Sequence, residues 1–240
     1  MSKAQKTSKG DRSFLGAMVF SICFMGVLAY SYTFLDEVIE SVTSSTIRAS
    51  TESSHGDMVL VASQSLRQEI ETLITAYEAV DDNVDWPQFS RAPVFIDFDR
   101  KVRALVARTK VVKLKLYADD SITIYSSNPS EIGVEKSEVE QVTHALRGRS
   151  SSQVTVRETF SSFEGELRNV DIVSSYHPLQ DGKGETIGVV EIYSDRTTEF
   201  STINDYGQTQ VGKFLIVLAL AMAVWFGQLI FGALRQRQTD

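Results

Sequence analysis

The sequence predicts an α+β domain held between two transmembrane helices, and three observations predict it. Two long apolar segments, Phe14–Leu35 and Val211–Leu234, frame the chain, and each matches the roughly 20 apolar residues that cross a bilayer. Between residues 57 and 80, apolar residues recur at steps of three and four, which is typical of an amphipathic helix. Beyond residue 110 the pattern changes to a two-residue alternation interrupted by turn signals, which is typical of strands.

The apolar segments divide the chain into five parts. Basic side chains lie on the terminal side of both segments, and positive flanks remain in the cytoplasm. We therefore expect both termini to be cytoplasmic and the central domain to be periplasmic or extracellular, in the inner membrane of a bacterium. The parts are a basic tail at 1–13, transmembrane helix 1 at 14–35, the external domain at 36–210, transmembrane helix 2 at 211–234 and a cytoplasmic tail at 235–240.

A cleaved signal peptide is the alternative for the first segment. Ala29-Tyr30-Ser31 is a passable cleavage site of small residues. The apolar stretch, however, exceeds the 7–15 residues of a usual signal core. An uncleaved anchor is therefore the favoured interpretation.

Composition argues against several classes of function. The chain carries a net charge of −7, and residues 36–210 alone hold 29 acidic and 17 basic side chains. No basic stripe exists to replace counterions on phosphate, so we expect no nucleic-acid partner. The single cysteine, Cys23, lies in the first apolar segment and permits neither an intrachain disulfide nor a cysteine-type zinc site. We expect no cofactor and no metal.

A stretch after the amphipathic helix resembles the start of a calcium loop. Asp81, Asn83 and Asp85 alternate as calcium ligands do, but the glycine and the distant glutamate of an EF-hand are missing. We interpret 81–93 as an ordinary loop. A short helix at Asp99–Arg108 follows it.

The amphipathic helix at 57–80 is expected to pack its apolar stripe on a sheet. Residues 36–56 are compatible with a helix that continues from the first membrane segment, with Gly56 as a candidate break. Ser137–Leu146 predicts another short helix, which ends near Gly148. Arg196–Gln210 is compatible with a helix that leads directly into the second apolar segment.

Five strands are predicted, which gives an antiparallel sheet of about five strands. In Lys110–Ala118, Val112, Leu114 and Leu116 fall on one face, and Lys113, Lys115 and Tyr117 fall on the other, where the lysines are expected to be wet. The last two strands are joined by the turn signal Asp181-Gly182-Lys183-Gly184. The other predicted strands are Ile122–Ser126, Gln153–Phe160, Glu166–Leu179 and Thr186–Ser194.

The order of these elements resembles a known family. Residues 115–133 (KLYADDSITIYSSNPSEIG), 145–148 (ALRG) and 173–195 (VSSYHPLQDGKGETIGVVEIYSD) are similar to the extracytoplasmic PAS-like sensor domains of the single Cache type. Such domains precede the second membrane helix in bacterial histidine kinases of two-component systems and in diguanylate cyclases. The resemblance covers about 85 residues. No HAMP linker, kinase core or cyclase domain follows Arg237 in this sequence, so an output module is expected to be separate or missing.

The resemblance implies a small-molecule ligand bound against the sheet, and it implies a homodimer or a signalling partner in the membrane. Tyr176 and His177, at the end of a predicted strand, are candidate ligand contacts, with strand-end packing as the alternative. Further candidates are expected on the polar face of the sheet, although aromatic residues in strands are more often core. They are Tyr117, Tyr125, Ser127, Arg157 and Tyr193.

No catalytic motif is present, and an enzyme is not expected. The sequence has no Walker loop, GxSxG, HExxH or paired cysteines, and His55, His144 and His177 have no metal-ligand spacing. Two hypotheses remain open. One is a membrane-anchored sensor that relays a signal through its second membrane helix. The other is a non-catalytic accessory subunit of a larger membrane complex, which the polar Gln228 within the second apolar segment also fits.

Overall fold

The computed structural model describes the backbone of residues 4–79 and 85–239, and the side chains of 19–79, 85–228, 230 and 231. The chain divides into two compact units, Met1–Thr43 with Ser201–Asp240 and Ser44–Phe200. The elements in chain order are α1 (Ala4–Ser65), α2 (Arg67–Glu78), α3 (Trp86–Phe89), α4 (Pro93–Val106), β1 (Val111–Tyr117), β2 (Thr123–Ser126), a 3₁₀ turn (Pro129–Glu131), α5 (Glu140–Leu146), β3 (Ser151–Ser162), β4 (Gly165–Gln180), β5 (Thr186–Asp195) and α6 (Thr197–Thr239).

Helix α1 continues past Gly56, so the predicted break there is wrong. The interruption lies ten residues later, at Leu66, whose ψ of 20° departs from helical geometry. Gly56 lies over the sheet, where a Cβ atom would come to 3.4 Å from the ring of His177, an ordinary van der Waals distance.

The segment predicted as a loop contains a short helix. Asp85 begins α3 by accepting a hydrogen bond from the Gln88 backbone N–H at 3.0 Å. Of the residues that resemble a calcium loop, Asp81 and Asn83 lie outside the described residues. Helix α4 starts at Pro93 and not at Asp99 as predicted, since proline is favoured in the first turn of a helix.

The five strands form one antiparallel sheet in the order β2-β1-β5-β4-β3. The predicted α+β fold with an antiparallel sheet of five strands is therefore confirmed. Gly165, with φ of +127°, makes the tight turn between β3 and β4. Gly188 allows a close approach of two strands, because a Cβ atom there would collide with the carbonyl oxygen of Tyr117.

The two faces of the sheet are covered by different helices. Part of α1, together with α2 and α4, packs on one face, which we call the helix face. The short helix α5 packs on the other, which we call the α5 face. The main core lies at the helix face and includes Val59, Leu73, Phe98, Val102, Leu114, Leu116, Tyr125 and Ile192.

The unit Met1–Thr43 with Ser201–Asp240 consists, in its described part, of two paired helical stretches. The rings of Phe20 and Trp225 lie 5.2 Å apart, and Gly207 contacts Ile39 so closely that a Cβ atom would come within 2.8 Å of it. The helical spans Val19–Ser65 and Thr197–Gln228 contain windows that are long and apolar enough to cross a membrane, with mean hydropathies of 1.5 and 1.8.

Candidate ligand-binding site

Two-residue alternation places the polar side chains of β1 on the α5 face. Lys113, Lys115 and Tyr117 point there, while Leu114 and Leu116 enter the core of the helix face. The prediction that the lysines are wet is wrong. Lys113 is 4% exposed and Lys115 is 7% exposed, because this face of the sheet is also covered.

Strand register brings further polar residues beside the lysines. Glu191 of β5 lies opposite Lys115 on one side and opposite Tyr176 of β4 on the other. Tyr193, two residues along β5, lies opposite Lys113. Residues directly opposite each other in neighbouring strands share a face and interact. Three strands thus assemble two lysines, a glutamate and three tyrosines in one patch.

Glu191 lies among the three tyrosines. The Tyr117 hydroxyl donates a hydrogen bond to its carboxylate, while Tyr176 lies opposite Glu191 on β4 and Tyr193 lies two residues along β5. Burial first, and then the Glu191 charge, raise the pKa of all three tyrosines well above the ordinary value. The hydroxyls therefore stay protonated and remain donors, and that of Tyr117 bonds to a carboxylate that is only 2% exposed.

Glu131 supplies the anion for the two lysines. Its carboxylate oxygens lie 2.6 Å from Lys113 Nζ and 3.3 Å from Lys115 Nζ, and one of them accepts a hydrogen bond from Ser126 Oγ at 2.8 Å. Burial raises the pKa of Glu131, but the hydrogen bond from Lys113 and the Lys115 charge outweigh it and hold this pKa below the usual value. Burial also lowers the pKa of Lys113, against the opposing effect of Glu131.

Two elements cover the patch, one at each end. At one end α5 contributes Val142 and Ala145, which are fully buried beside Tyr117 and Tyr176. At the other end the β3–β4 hairpin bends over the sheet. Its Phe160 ring lies 5.3 Å from the Tyr193 ring and 5.2 Å from Lys113 Nζ. The hairpin tip is held in place because the Phe163 N–H donates to the Val112 carbonyl at 2.8 Å.

A separate polar cluster lies on the helix face. His55 of α1 hydrogen-bonds through its two ring nitrogens to Ser175 Oγ at 2.5 Å and to Ser194 Oγ at 2.7 Å. His177 Nε2 contacts the same Ser175 hydroxyl at 3.1 Å, and its Nδ1 contacts Ser150. Burial lowers the pKa of His55 to about 3, with the charges of His177 and Arg196 acting in the same direction. The pKa of His177 is also lowered by burial.

This serine–histidine arrangement lacks an opening for a substrate. Ser175 is 0% exposed and His55 is 1% exposed, and both lie under α1. A nucleophile and its base must reach a reacting atom. The cluster instead fastens α1 to β4 and β5. No group of three or more histidine, cysteine or acidic side chains suited to a metal occurs among the described residues.

The structure separates the seven residues selected from the sequence. Tyr117, Tyr176 and Tyr193 come together around Glu191 on the α5 face. Tyr125 was placed on the polar face, but it points to the helix face, where its hydroxyl donates to Asp99 at 2.8 Å. His177 also lies on the helix face.

The other two selected residues lie apart from the tyrosines. Ser127 follows β2 and is 8% exposed, and its Oγ has no hydrogen-bond partner among the described residues. Arg157 lies on β3 opposite Val170, and its side chain is exposed. Among the described residues, no hydrogen bond or ion pair joins either side chain to Glu191 or to the lysines.

Four charged residues of the patch were not selected from the sequence. Lys113 and Lys115 look like the wet positions of an amphipathic strand, and Glu131 sits in an apparent loop. Only Glu191 left a signal, as a lone carboxylate between Val190 and Ile192 in an otherwise apolar strand.

Comparison with known proteins gives structural likenesses only. No family model matches the chain, and no curated protein matches it. The solved structures that resemble it include the sensor domain of the histidine kinase DctB from V. cholerae, at 14% identity and a TM-score of 0.43 over 73% of this chain. They also include the sensor domain of DcuS from E. coli, at 18% identity and a TM-score of 0.40 over 64% of this chain. The chain spans 59% of the DctB structure and 98% of the DcuS structure. Because the sequence identities and TM-scores are low, these likenesses give no function, which has to be inferred from the chain's own residues.

Proposed function

We propose that this chain is a membrane-anchored sensor. Its external domain at 36–210, of the PAS-like single Cache type, would bind a small molecule on the α5 face and relay the event through the second apolar helix to an output module. In this proposal the protein resides in the inner membrane of a bacterium with both termini in the cytoplasm. Two helical spans of membrane-crossing length and the basic flanks of the sequence support that placement.

The buried charges of the α5 face carry the proposal. Lys113, Lys115, Glu131 and Glu191 are held together on one face of a small sheet. Apolar residues of similar size would usually serve packing as well or better, because desolvation of charges opposes their mutual attraction. Lys113 and Glu131 have shifted pKa values, and shifted groups that lie together beneath covering elements are typical of sites that bind or react. A small polar molecule would find both cationic and hydroxyl donors there.

The connection from β5 to α6 supports a relay. Asp195 accepts hydrogen bonds from the backbone N–H and the hydroxyl of Thr197, at 2.9 and 2.6 Å, and so caps the first turn of α6. The Thr197 hydroxyl accepts in turn from the Asp171 N–H of β4 at 2.9 Å. Glu191 and Tyr193 precede this cap on the same strand. A ligand that shifts β5 would therefore act on the start of α6, provided that it binds the two arrangements with different affinity.

Thermal unfolding of the full-length protein in lipid nanodiscs tests ligand binding. A panel of small carboxylates, amines and amino acids is added at about 1 mM, which reveals dissociation constants up to the millimolar range. We expect at least one compound to raise the midpoint of the wild type but not that of Tyr193→Phe. Tyr206→Phe, at a residue that is 67% exposed on α6, is the matched control and should respond as the wild type does.

A negative screen, or a response that Tyr193→Phe retains in full, would contradict the proposal. Mild-detergent purification from the native membrane then examines the accessory-subunit hypothesis. A stoichiometric membrane complex, recovered together with a negative screen, would favour that hypothesis over the sensor.

A further inference from the structure

Glu131 holds a place that an anionic ligand would take. Its side chain is 28% exposed, whereas those of Lys113 and Lys115 are 5% and 9% exposed. The carboxylate therefore lies between solvent and the two buried ammonium groups. Two ammonium groups and the Ser126 hydroxyl surround it with three donors, which is how proteins commonly hold a bound carboxylate.

Glu131 is also the one partner of this group that does not belong to a strand. It ends the 3₁₀ turn Pro129–Glu131, whose backbone is fixed by its own bonds, such as the Glu131 N–H to the Asn128 carbonyl at 3.1 Å. Its carboxylate can therefore rotate into water without breaking a bond of the sheet ladder. Lys113, Lys115 and Ser126 lie on β1 and β2 and are buried, so they form the enclosed side of the group.

The charges of the patch set the class of ligand. Glu191 accepts a hydrogen bond from Tyr117 and lies opposite Lys115. With Glu131 bound, two glutamates balance two lysines. If Glu131 leaves, one negative charge is missing beside two buried cations, which is costly in a medium of low dielectric constant. One incoming carboxylate restores the balance.

We propose that Glu131 is an internal competitor that occupies a carboxylate subsite formed by Lys113, Lys115 and Ser126, and that the carboxylate of a small ligand displaces it. This inference rests on the proposed function, because it places the ligand of that sensor on the α5 face. The competitor weakens binding, because the apparent association constant of the ligand is its intrinsic value multiplied by the fraction of molecules in which the subsite is free. Displacement also moves Glu131 from the lysines to water, which couples binding to the turn after β2.

Acetate is the probe for this subsite, and Glu131→Gln is the variant. Full-length wild type and variant in nanodiscs are titrated with sodium acetate at constant ionic strength, with thermal unfolding and isothermal calorimetry as readouts. We expect Glu131→Gln to have a lower midpoint than the wild type without acetate, and to bind acetate about tenfold or more tightly than the wild type. Acetamide, which has the same shape without the charge, should do nothing. Glu69→Gln removes a glutamate paired with Lys101 outside the α5 face and should not change acetate binding.

Two further variants keep the test decisive if Glu131→Gln folds poorly. Glu131→Asp retains the charge on a shorter side chain, so its acetate affinity should lie between those of the wild type and a protein without the competitor. Adding Lys113→Met to Glu131→Gln should abolish the acetate effect. Equal acetate binding by wild type, Glu131→Gln and Glu131→Asp would overturn the inference and make the ion pair structural.

The outcomes also separate this inference from the proposed function. A compound from the panel that stabilises the wild type, with an affinity that Glu131→Gln leaves unchanged, would support the sensor and overturn the competitor. Acetate binding that appears on removal of Glu131, with no compound active on the wild type, would support the subsite and count against the sensor.

Discussion

Acidification should weaken the attachment of α1 to the sheet through His55. The ring is 1% exposed and sits between Ser175 and Ser194, and burial lowers its pKa from 6.5 to about 3. The unfolded chain binds a proton near pH 6.5, whereas the folded chain resists it until about pH 3. The titration of His55 therefore leaves the free energy of unfolding unchanged above pH 6.5. It lowers that free energy progressively as the pH falls from 6.5 toward 3.

The magnitude follows from the width of that window. Each pH unit below 6.5 removes about 1.4 kcal/mol, so at pH 5 the loss is about 2 kcal/mol. In a protein of this size that corresponds to a midpoint lower by about 4–8 °C. His177, whose pKa is also lowered by burial and raised in part by the Glu52 charge, adds a loss of the same sign.

Comparison with His55→Gln isolates the contribution of His55. At pH 7.5 the variant should be less stable than the wild type by about 1–3 kcal/mol, because Ser175 and Ser194 keep poorer partners. At pH 5 the difference in unfolding free energy between wild type and variant should shrink by about 2 kcal/mol. Only the wild type has a histidine here that must stay neutral in the folded state while it is protonated in the unfolded state. Unfolding of the full-length protein is followed by tryptophan fluorescence, and His144→Gln on α5 controls for loss of a histidine outside the cluster. A stability difference that stays constant from pH 7.5 to 5 would refute the reasoning.

Three further substitutions, one of them with a matched control, test the core, the approach of two strands and the α5 face. Leu73→Ala, at a residue that is 0% exposed, should lower the free energy of unfolding by about 2–5 kcal/mol in urea titrations, whereas Leu60→Ala, at 59% exposure, should change it by less than about 0.5 kcal/mol. Gly188→Ala forces a Cβ atom against the Tyr117 carbonyl, so its thermal midpoint should fall; an unchanged midpoint would contradict the close approach. Tyr117→Phe removes one donor to Glu191 and should cost about 1–3 kcal/mol in the same urea assay, and no loss would mean that the hydroxyl is dispensable.

The strands and helices were predictable because their patterns are local. The alternation in β1 and the glycine-containing turn before β5 mark the strands without knowledge of their partners. The break in the first helix was not predictable in the same way. Gly56 has the residue type of a breaker, but α1 stays helical there, and the neighbouring His55 ties this part of the helix to Ser175 and Ser194. Tertiary contact outweighs intrinsic propensity at this position.

The candidate site was only partly predictable because charge pairing across strands depends on register. The two-residue alternation of β1 predicts that Lys113 and Lys115 share a face of the sheet with Tyr117. It does not show that α5 and the β3–β4 hairpin cover this face. Glu131 is far from a strand pattern and reaches the lysines only through the 3₁₀ turn. The resemblance to Cache-type sensor domains remains a prediction, and the ligand contacts inferred from it are proposals that the variants above test.

The two polar clusters are linked by the pleat of the strands that they share. Ser175, Tyr176 and His177 follow one another on β4, so the first and third point to the helix face while the second points to the α5 face. If a ligand pulled Glu191 or Tyr176 on the α5 face, it would also displace the backbone that positions Ser175 beneath His55. Because the same β5 ends at the Asp195 cap of α6, one movement of the sheet would reach both α1 and the start of α6. A ligand of the α5 face should therefore change hydrogen exchange of the backbone around His55 and Thr197. Tyr193→Phe, which we expect to abolish the ligand response, should abolish both changes together. A change in hydrogen exchange around only one of His55 and Thr197 would mean that the sheet does not couple α1 to the start of α6.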